Sequence, residues 1–468
     1  MKALRHNHIA LLAVTFLLLC IGYFLIGHHI SRSQTNILLS AYAGLWLLSW
    51  PWLRVVSAPL DKGLTSWKKD LYAGLILRIL LIFSWPSLSQ DVYRFLWDGA
   101  LFAQGISPYL YTPNSIINQQ ELLGITLPNS GALLSAMGSL SANNFSNYPP
   151  IKQLIFALPH WLGIRGIIAQ IWVLRIIIIL ADMAVFFLGR RLLLNRSLNP
   201  KYINWYFLNP LIILELTGNG HFEGLMAVCI LASILLLERK KYLTSGIMLG
   251  IGIGLKLIPL MLLPVLGAFV AGRCKKSQTI KPIRLFITGV IGTLGLIFLP
   301  MLSAETIAHY TATTGLWFTK FEFNASIYYV LRWIGFQWKG YNLIAQIGPA
   351  LSLITALSIF YLSYRVWTQK SNIYQAMMGS ILIYLLCATT VHPWYWTTVL
   401  ALSILTQSRI GLLGSMLVFL SYTAYGEELV QESWLWLSLE YLLLFAYLFW
   451  ELKNSKAQKD QWAKTSSS

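Results

Sequence analysis

The sequence predicts an all-α polytopic membrane protein: a bundle of about twelve transmembrane spans with added re-entrant and half-helix elements. Three observations carry this prediction. Hydrophobic residues make up 56% of the 468 and charged residues only 11%, against about a quarter charged in a soluble domain. Apolar runs near the roughly twenty residues needed to cross a bilayer recur along the chain. Lys and Arg number 35 against 17 Asp and Glu, for a formal net charge of +18, and they gather in short clusters between those runs. Such clusters follow from the positive-inside rule and argue against a nucleic-acid partner. Cys20, Cys229, Cys274 and Cys387 show neither metal-ligand spacing nor a disulfide framework.

Residues 1–88 read as three spans. A short basic start leads into Ile9–Gly27, and Gly27-His-His-Ile-Ser-Arg32 is a poor cleavage site, so the first span is expected to stay with its N-terminus cytoplasmic. The second, Ile37–Val56, returns to a loop carrying Lys62, Lys68 and Lys69, cytoplasmic by its charge. The third, Leu71–Leu88, delivers Asp91 to the outer side. Residues 89–150 then form a large outer loop in which Arg94 is the sole basic residue. Loops of such length are uncommon unless functional. Short interfacial helices are expected there at Asp91–Gln104 and Gly131–Leu140.

The central region, 151–302, opens with Ile151–Leu162, too short to span and read as re-entrant. Ile167–Leu188 spans and ends at Arg190, Arg191, Arg196 and Lys201. Ile203–Thr217 is expected to go out, the turn Gly218–Gly224 to face outside, and Leu225–Leu237 to return. Leu243–Val270 must start and finish on the cytoplasmic side, because Arg273, Lys275, Lys276, Lys281 and Arg284 follow it. One continuous helix cannot do that, so two half-helices turning near Lys256–Pro259 are predicted. Leu285–Leu302 leads to a second outer loop, 303–341. Spans near Leu343–Trp367, Tyr374–Val391, Trp394–Thr406, Gly411–Tyr425 and Trp434–Trp450 fill 342–451, before a basic cytoplasmic tail, 452–468.

This topology sends Asp91, Arg94, Asp98, Tyr148, His221, Glu223, Lys256 and His392 to the outer face, although none of them was used to orient the chain. Asp91, Arg94 and Asp98 share one side of a helix, with Tyr93, Phe95, Trp97 and Phe102 expected to anchor it at the membrane interface. Lys256 lies in an apolar segment where an ammonium is expensive. It either snorkels or serves as a point charge for a phosphate among lipid headgroups. His392 opens His392-Pro-Trp-Tyr-Trp396, which reads equally as an interfacial aromatic belt. Arg175 and Asp182 share a face of one span and are expected to hold neighbouring helices.

Taken together, Asp91-Val-Tyr-Arg-Phe-Leu-Trp-Asp-Gly99, Gly105-Ile-Ser-Pro-Tyr109, Tyr148-Pro-Pro150, Asn209-Pro210 with Gly218–Gly224, Lys256-Leu-Ile-Pro259 and His392-Pro-Trp-Tyr395 are a recognisable series. It resembles integral-membrane glycosyltransferases of the C-type fold, particularly mannosyltransferases that use polyprenyl-phosphate mannose. The resemblance runs from Leu71 to Leu405, and the spans beyond match nothing. It implies a polyprenyl-phosphate sugar donor, a lipid- or glycan-linked acceptor, surrounding membrane lipid, and Asp91 as the catalytic residue. Glu223 departs from the pattern, where such enzymes often carry Asp.

The chemistry agrees with these residue types. Asp91 can accept or orient the proton of the incoming hydroxyl. Positive groups stabilise charge on the departing phosphate, Lys256 first, with Arg94 and His392 as helpers. Asp98 could hold Arg94 or the acceptor, and Tyr148, Trp394, Tyr395 and Trp396 offer rings for a sugar. One carboxylate at the reacting carbon suits direct inversion. No cofactor is required, though an Asp91–Glu223 pair could bind a divalent metal. A bacterial inner membrane with the site on its periplasmic side is expected. The rivals are a transporter or flippase of a lipid-linked sugar, which also uses broken helices, and a glycan polymerase or ligase. The lack of an internal repeat and the one-sided placement of charge favour the transferase.

Overall fold

The computed structural model of the protein describes residues 2–54, 67–273, 280–426 and 430–466, so Lys62, Cys274, Lys275 and Lys276 lie outside the described residues. Among these residues the only strand-like pairing is two isolated bridges, Phe323 with Thr390 and Tyr425 with Val430. The rest is helix and turn. The chain opens with α1 (Lys2–His28), α2 (Thr35–Leu53) and α3 (Trp67–Ile82). Large apolar side chains on α1 and α2 point outward, Leu17 at 62% and Leu47 at 77% exposure. Water disfavours such a surface and lipid accepts it.

The first large loop folds back onto the bundle. Its leading helix, α4 (Asp91–Ala103), forms where the sequence predicts it, but Phe95 and Trp97 are not membrane anchors. Both are 1% exposed, because α4 is packed against α5 (Pro150–Trp161). Gly99 makes the approach possible: a Cβ there would lie 2.0 Å from the carbonyl oxygen of Phe156. Short helices at Ser130–Ala136 and Gly138–Ala142 close the loop. The long α6 (Ile167–Asn195) follows.

Asp182 on α6 meets Arg78 on α3 at 2.8 Å, and neither is exposed. Tyr206 donates to the same carboxylate, while Arg78 also donates to the carbonyls of Gly74 and Phe207. Arg175 donates to the carbonyls of Ile82 (2.8 Å), Ser84 and Gly218. The two charges expected to hold neighbouring helices do so, but with different partners.

Ile203–Thr217 is not the outgoing span expected. Short turns lead to Pro210, which has no N–H to donate and restarts the helix behind an Asn209 cap. The segment ends in a π-helical turn, Ile213–Gly218, and meets α7 (Glu223–Glu238) at 116°. Gly220, at φ +79°, supplies the left-handed residue this reversal needs. α8 (Tyr242–Leu255) then breaks at Lys256, whose backbone is extended, and a 3₁₀ turn leads into α9 (Leu263–Arg273).

α8 and α10 (Ile280–Phe298) cross at backbone contact. A Cβ on Gly246 would fall 2.1 Å from the Phe286 carbonyl oxygen, and one on Gly289 would fall 2.3 Å from that of Leu243. Small residues allow helices to associate this way in lipid. Gly246→Leu is therefore expected to destabilise the protein by about 1–3 kcal/mol, read as earlier unfolding in detergent. Gly267→Leu, whose Cβ would meet nothing within 4 Å, is the control expected to be neutral.

Residues 303–341, expected as a loop, hold two helices, α11 (Ala304–Thr319) and α12 (Ile327–Lys339). The chain finishes with α13 (Ile344–Trp367), α14 (Ile373–Cys387), α15 (Trp396–Thr406), α16 (Ile410–Leu417) and α17 (Trp434–Ser466). Five helices among the described residues are long and apolar enough to cross a bilayer, or six if the bent pair around Gly218–Glu223 counts as one span. Further apolar helices, at Tyr242–Leu255, Ile258–Arg273, Ile373–Cys387 and Ile410–Ala424, are shorter.

Candidate active site

The breaks in these helices converge on one cavity of about 560 Å³. Its lining comes from the first loop, the turn before α7, the Lys256 break and the His392 turn before α15. Hydrogen bonds tie these distant segments together. The Leu88 N–H donates to Asn219 Oδ1, Asn219 Nδ2 donates to Glu215, and Tyr422 donates to the other oxygen of Glu215 at 2.6 Å. The start of α4 is thereby fixed to the π-helical turn, the kind of local distortion common at functional sites.

Asp91 is the first residue of α4, and its half-buried carboxylate faces the cavity. Among the described residues its side chain makes no hydrogen bond or ion pair within 4 Å. Loss of water raises its carboxyl to about 6, although Lys152 and Lys256 pull it down. Across the cavity Glu223 accepts a hydrogen bond from Lys256, whose ammonium also sits 4.2 Å from the Tyr395 ring centroid. Lys256 is thus not a lone charge: the helix break places it beside a carboxylate at the start of α7.

One wall is aromatic. His221 stacks on Trp394 at 3.8 Å, Trp394 on His392 at 4.5 Å, and His392 on Phe323 at 5.2 Å. Rings stacked at these spacings cover one another's faces, so the row can offer a sugar ring edges and their N–H and nitrogen groups. Tyr148 lines the opposite side, edge-on to Phe95 and Phe156.

Three sequence candidates stand apart from this arrangement. Asp98 is fully buried and does not line the cavity; it accepts from Arg94 (2.7 Å) and Ser146 (2.6 Å). Arg94 reaches the cavity edge, but its charge is paired with Asp98 through Nε and its Nη1 donates to the carbonyls of Ser141 and Asn144. The pair shapes the loop over the site. Trp396 is 1% exposed, with its ring against Gly414, so it offers no face to a sugar.

Sequence reading missed Lys152, on the first turn of α5, and Arg32 with Tyr425, whose ring lies 4.8 Å from the guanidinium. A lysine two residues after Tyr148-Pro-Pro150, beside an outer loop almost free of basic residues, was the available signal. No group of three or more His, Cys, Asp or Glu side chains among the described residues is placed to hold a metal. A cation between Asp91 and Glu223 would have to compete with Lys256 for Glu223.

A polytopic helical bundle whose interrupted helices open on one polar, ring-walled cavity with an unpaired carboxylate defines an integral-membrane glycosyltransferase of the C type. The chain belongs to the family described as alpha-(1->6)-mannopyranosyltransferase, N-terminal domain, whose model matches residues 8–272, more than half of the sequence. It is similar to alpha-(1->6)-mannopyranosyltransferase A of Mycobacterium tuberculosis, 23% identical over 402 residues, covering 82% of this chain and 73% of the relative. The protein of the same name from Corynebacterium glutamicum is 21% identical over 373 residues, covering 73% of this chain and 71% of the relative.

Proposed function

We propose that the protein transfers a single mannose from a polyprenyl-phosphate donor to a lipid- or glycan-linked acceptor, inverting the anomeric carbon. The reaction runs at the periplasmic face of a bacterial inner membrane, with both termini cytoplasmic. The observation that carries this reading is Asp91, a carboxylate free of partners at the mouth of a cavity that also holds ammonium groups. The names of the relatives support mannose and an α-(1→6) linkage.

In this scheme the acceptor's C6 hydroxyl, on a terminal mannose, attacks the anomeric carbon while Asp91 takes its proton. The bond from that carbon to the phosphate oxygen breaks with its electron pair, leaving a polyprenyl phosphate. An α product formed with inversion requires a β-linked donor. His221, Trp394, His392 and Tyr395 give the sugars a platform, and Tyr148 faces them. Glu223 keeps Lys256 ordered at the cavity wall. No metal or other cofactor takes part.

The test is reconstitution in nanodiscs with radiolabelled polyprenyl-phosphate sugars and membrane-derived acceptors. Label from the mannosyl donor should appear on the acceptor. Binding or translocation of donor without transfer to any acceptor would overturn the reading in favour of a transporter, and transfer of whole glycans would point to a polymerase or ligase. The pH profile is a further prediction. A protonated Asp91 cannot accept a proton, so kcat/KM should fall as the medium is acidified through about 6. A flat profile between about pH 5 and about pH 7 would remove Asp91 from the role of base.

A further inference from the structure

Lys152 is buried, at 4% exposure, yet lines the cavity. Its ammonium lies 5.1 Å from the Tyr148 ring centroid, 5.8 Å from that of Phe95 and 6.0 Å from that of Phe222. These rings partly replace lost hydration. Among the described residues its Nζ makes no hydrogen bond and no ion pair. Its three N–H donors therefore face the cavity without a protein partner, on a side chain that burial strips of part of its hydration, an arrangement that favours an anion. Lys256 differs, since Glu223 already neutralises it. A phosphate bound against Lys256 would meet the Glu223 carboxylate in direct contact with that ammonium, whereas Glu223 and Asp91 act on Lys152 only from beyond ion-pair distance.

Resting on the lipid-phosphate reading above, we propose that Lys152, rather than Lys256, binds the phosphate of the donor and stabilises the charge it gains on leaving. As the anomeric C–O bond breaks, its electron pair goes to the phosphate oxygen. Hydrogen bonds from Lys152 strengthen as that charge grows. The proton of the acceptor hydroxyl goes to Asp91, on the other side of the reacting carbon, so no further reactant is needed. Burial, aided by Lys256, lowers the Lys152 ammonium to about 8, while Glu223 and Asp91 oppose the shift. His221 is the other titratable group within electrostatic reach, and Tyr148 presents its ring. Phosphate binding should therefore weaken as pH rises through about 8.

The experiment measures binding of farnesyl phosphate and of farnesol to the full-length protein in phosphatidylcholine nanodiscs. Wild type should prefer the phosphate. Lys152→Met should weaken farnesyl phosphate binding by about tenfold or more, leaving farnesol unchanged. Lys256→Met should keep more of the preference than Lys152→Met does, although it leaves the Glu223 carboxylate without its partner. Lys152→Arg should keep phosphate binding and abolish its decline through about pH 8, because a guanidinium does not deprotonate there. Loss of the preference in Lys256→Met but not in Lys152→Met overturns the assignment to Lys152. Wild type that binds the phosphate no better than the alcohol overturns the lipid-phosphate reading itself. Should Lys152→Met fail to fold, the wild-type pH titration decides: binding that does not weaken between about pH 7 and about pH 9 overturns the proposal.

Discussion

Asp91→Asn is expected to lower mannosyl transfer by about 10²–10⁴-fold, the usual contribution of a positioned base, while donor affinity stays the same or tightens. The amide is isosteric with the carboxylate, and the Asp91 side chain anchors nothing among the described residues. The fold should therefore survive the change. Removing a negative charge that faces Lys152 and Lys256 should not weaken an anionic donor. Radiolabel transfer and donor binding, measured side by side in nanodiscs, separate the two effects. Equal transfer by the variant and wild type would dismiss Asp91 from the chemistry. Loss of donor binding in step with transfer would make it a binding residue instead.

The largest expected effect on stability belongs to Arg78 and Asp182. Both side chains are fully buried, and Asp182→Ala leaves a guanidinium in an apolar interior with its main partner gone. Breaking one side of such a pair is destabilising by about 3–5 kcal/mol. Arg78→Met should do the same by orphaning Asp182, whose other oxygen accepts, among the described residues, from Tyr206. The double variant Arg78→Met/Asp182→Leu should recover most of the loss, because a well-packed apolar pair avoids desolvating two charges. Unfolding in mixed micelles checks all three. Single variants as stable as wild type would show that the pair does not hold α3 to α6.

Much of the protein is determined by one-dimensional pattern. The scarcity of charge, the apolar runs and the basic clusters between them specify a helical membrane bundle, because each residue's partition between lipid and water is a local property. The break at Lys256–Pro259 was also legible, since basic residues on both sides of one apolar run leave no other path. So was the position of Asp91, the first acidic residue of an outer loop in which Arg94 is the sole basic one. What tertiary structure alone decided is which charges are already satisfied. Arg94 and Lys256 were both expected to help at the phosphate, but Asp98, one of the two partners the sequence allowed it, holds the first, and Glu223 at the start of α7 meets the second. Trp396 belongs to the same motif as Trp394 yet turns into the core against Gly414. Lys152 drew no notice in sequence and is a buried cavity-lining cation left without a counter-charge at hydrogen-bonding distance among the described residues. Pairing is a property of distances of a few ångströms between segments far apart in the chain, and no periodicity or composition encodes it.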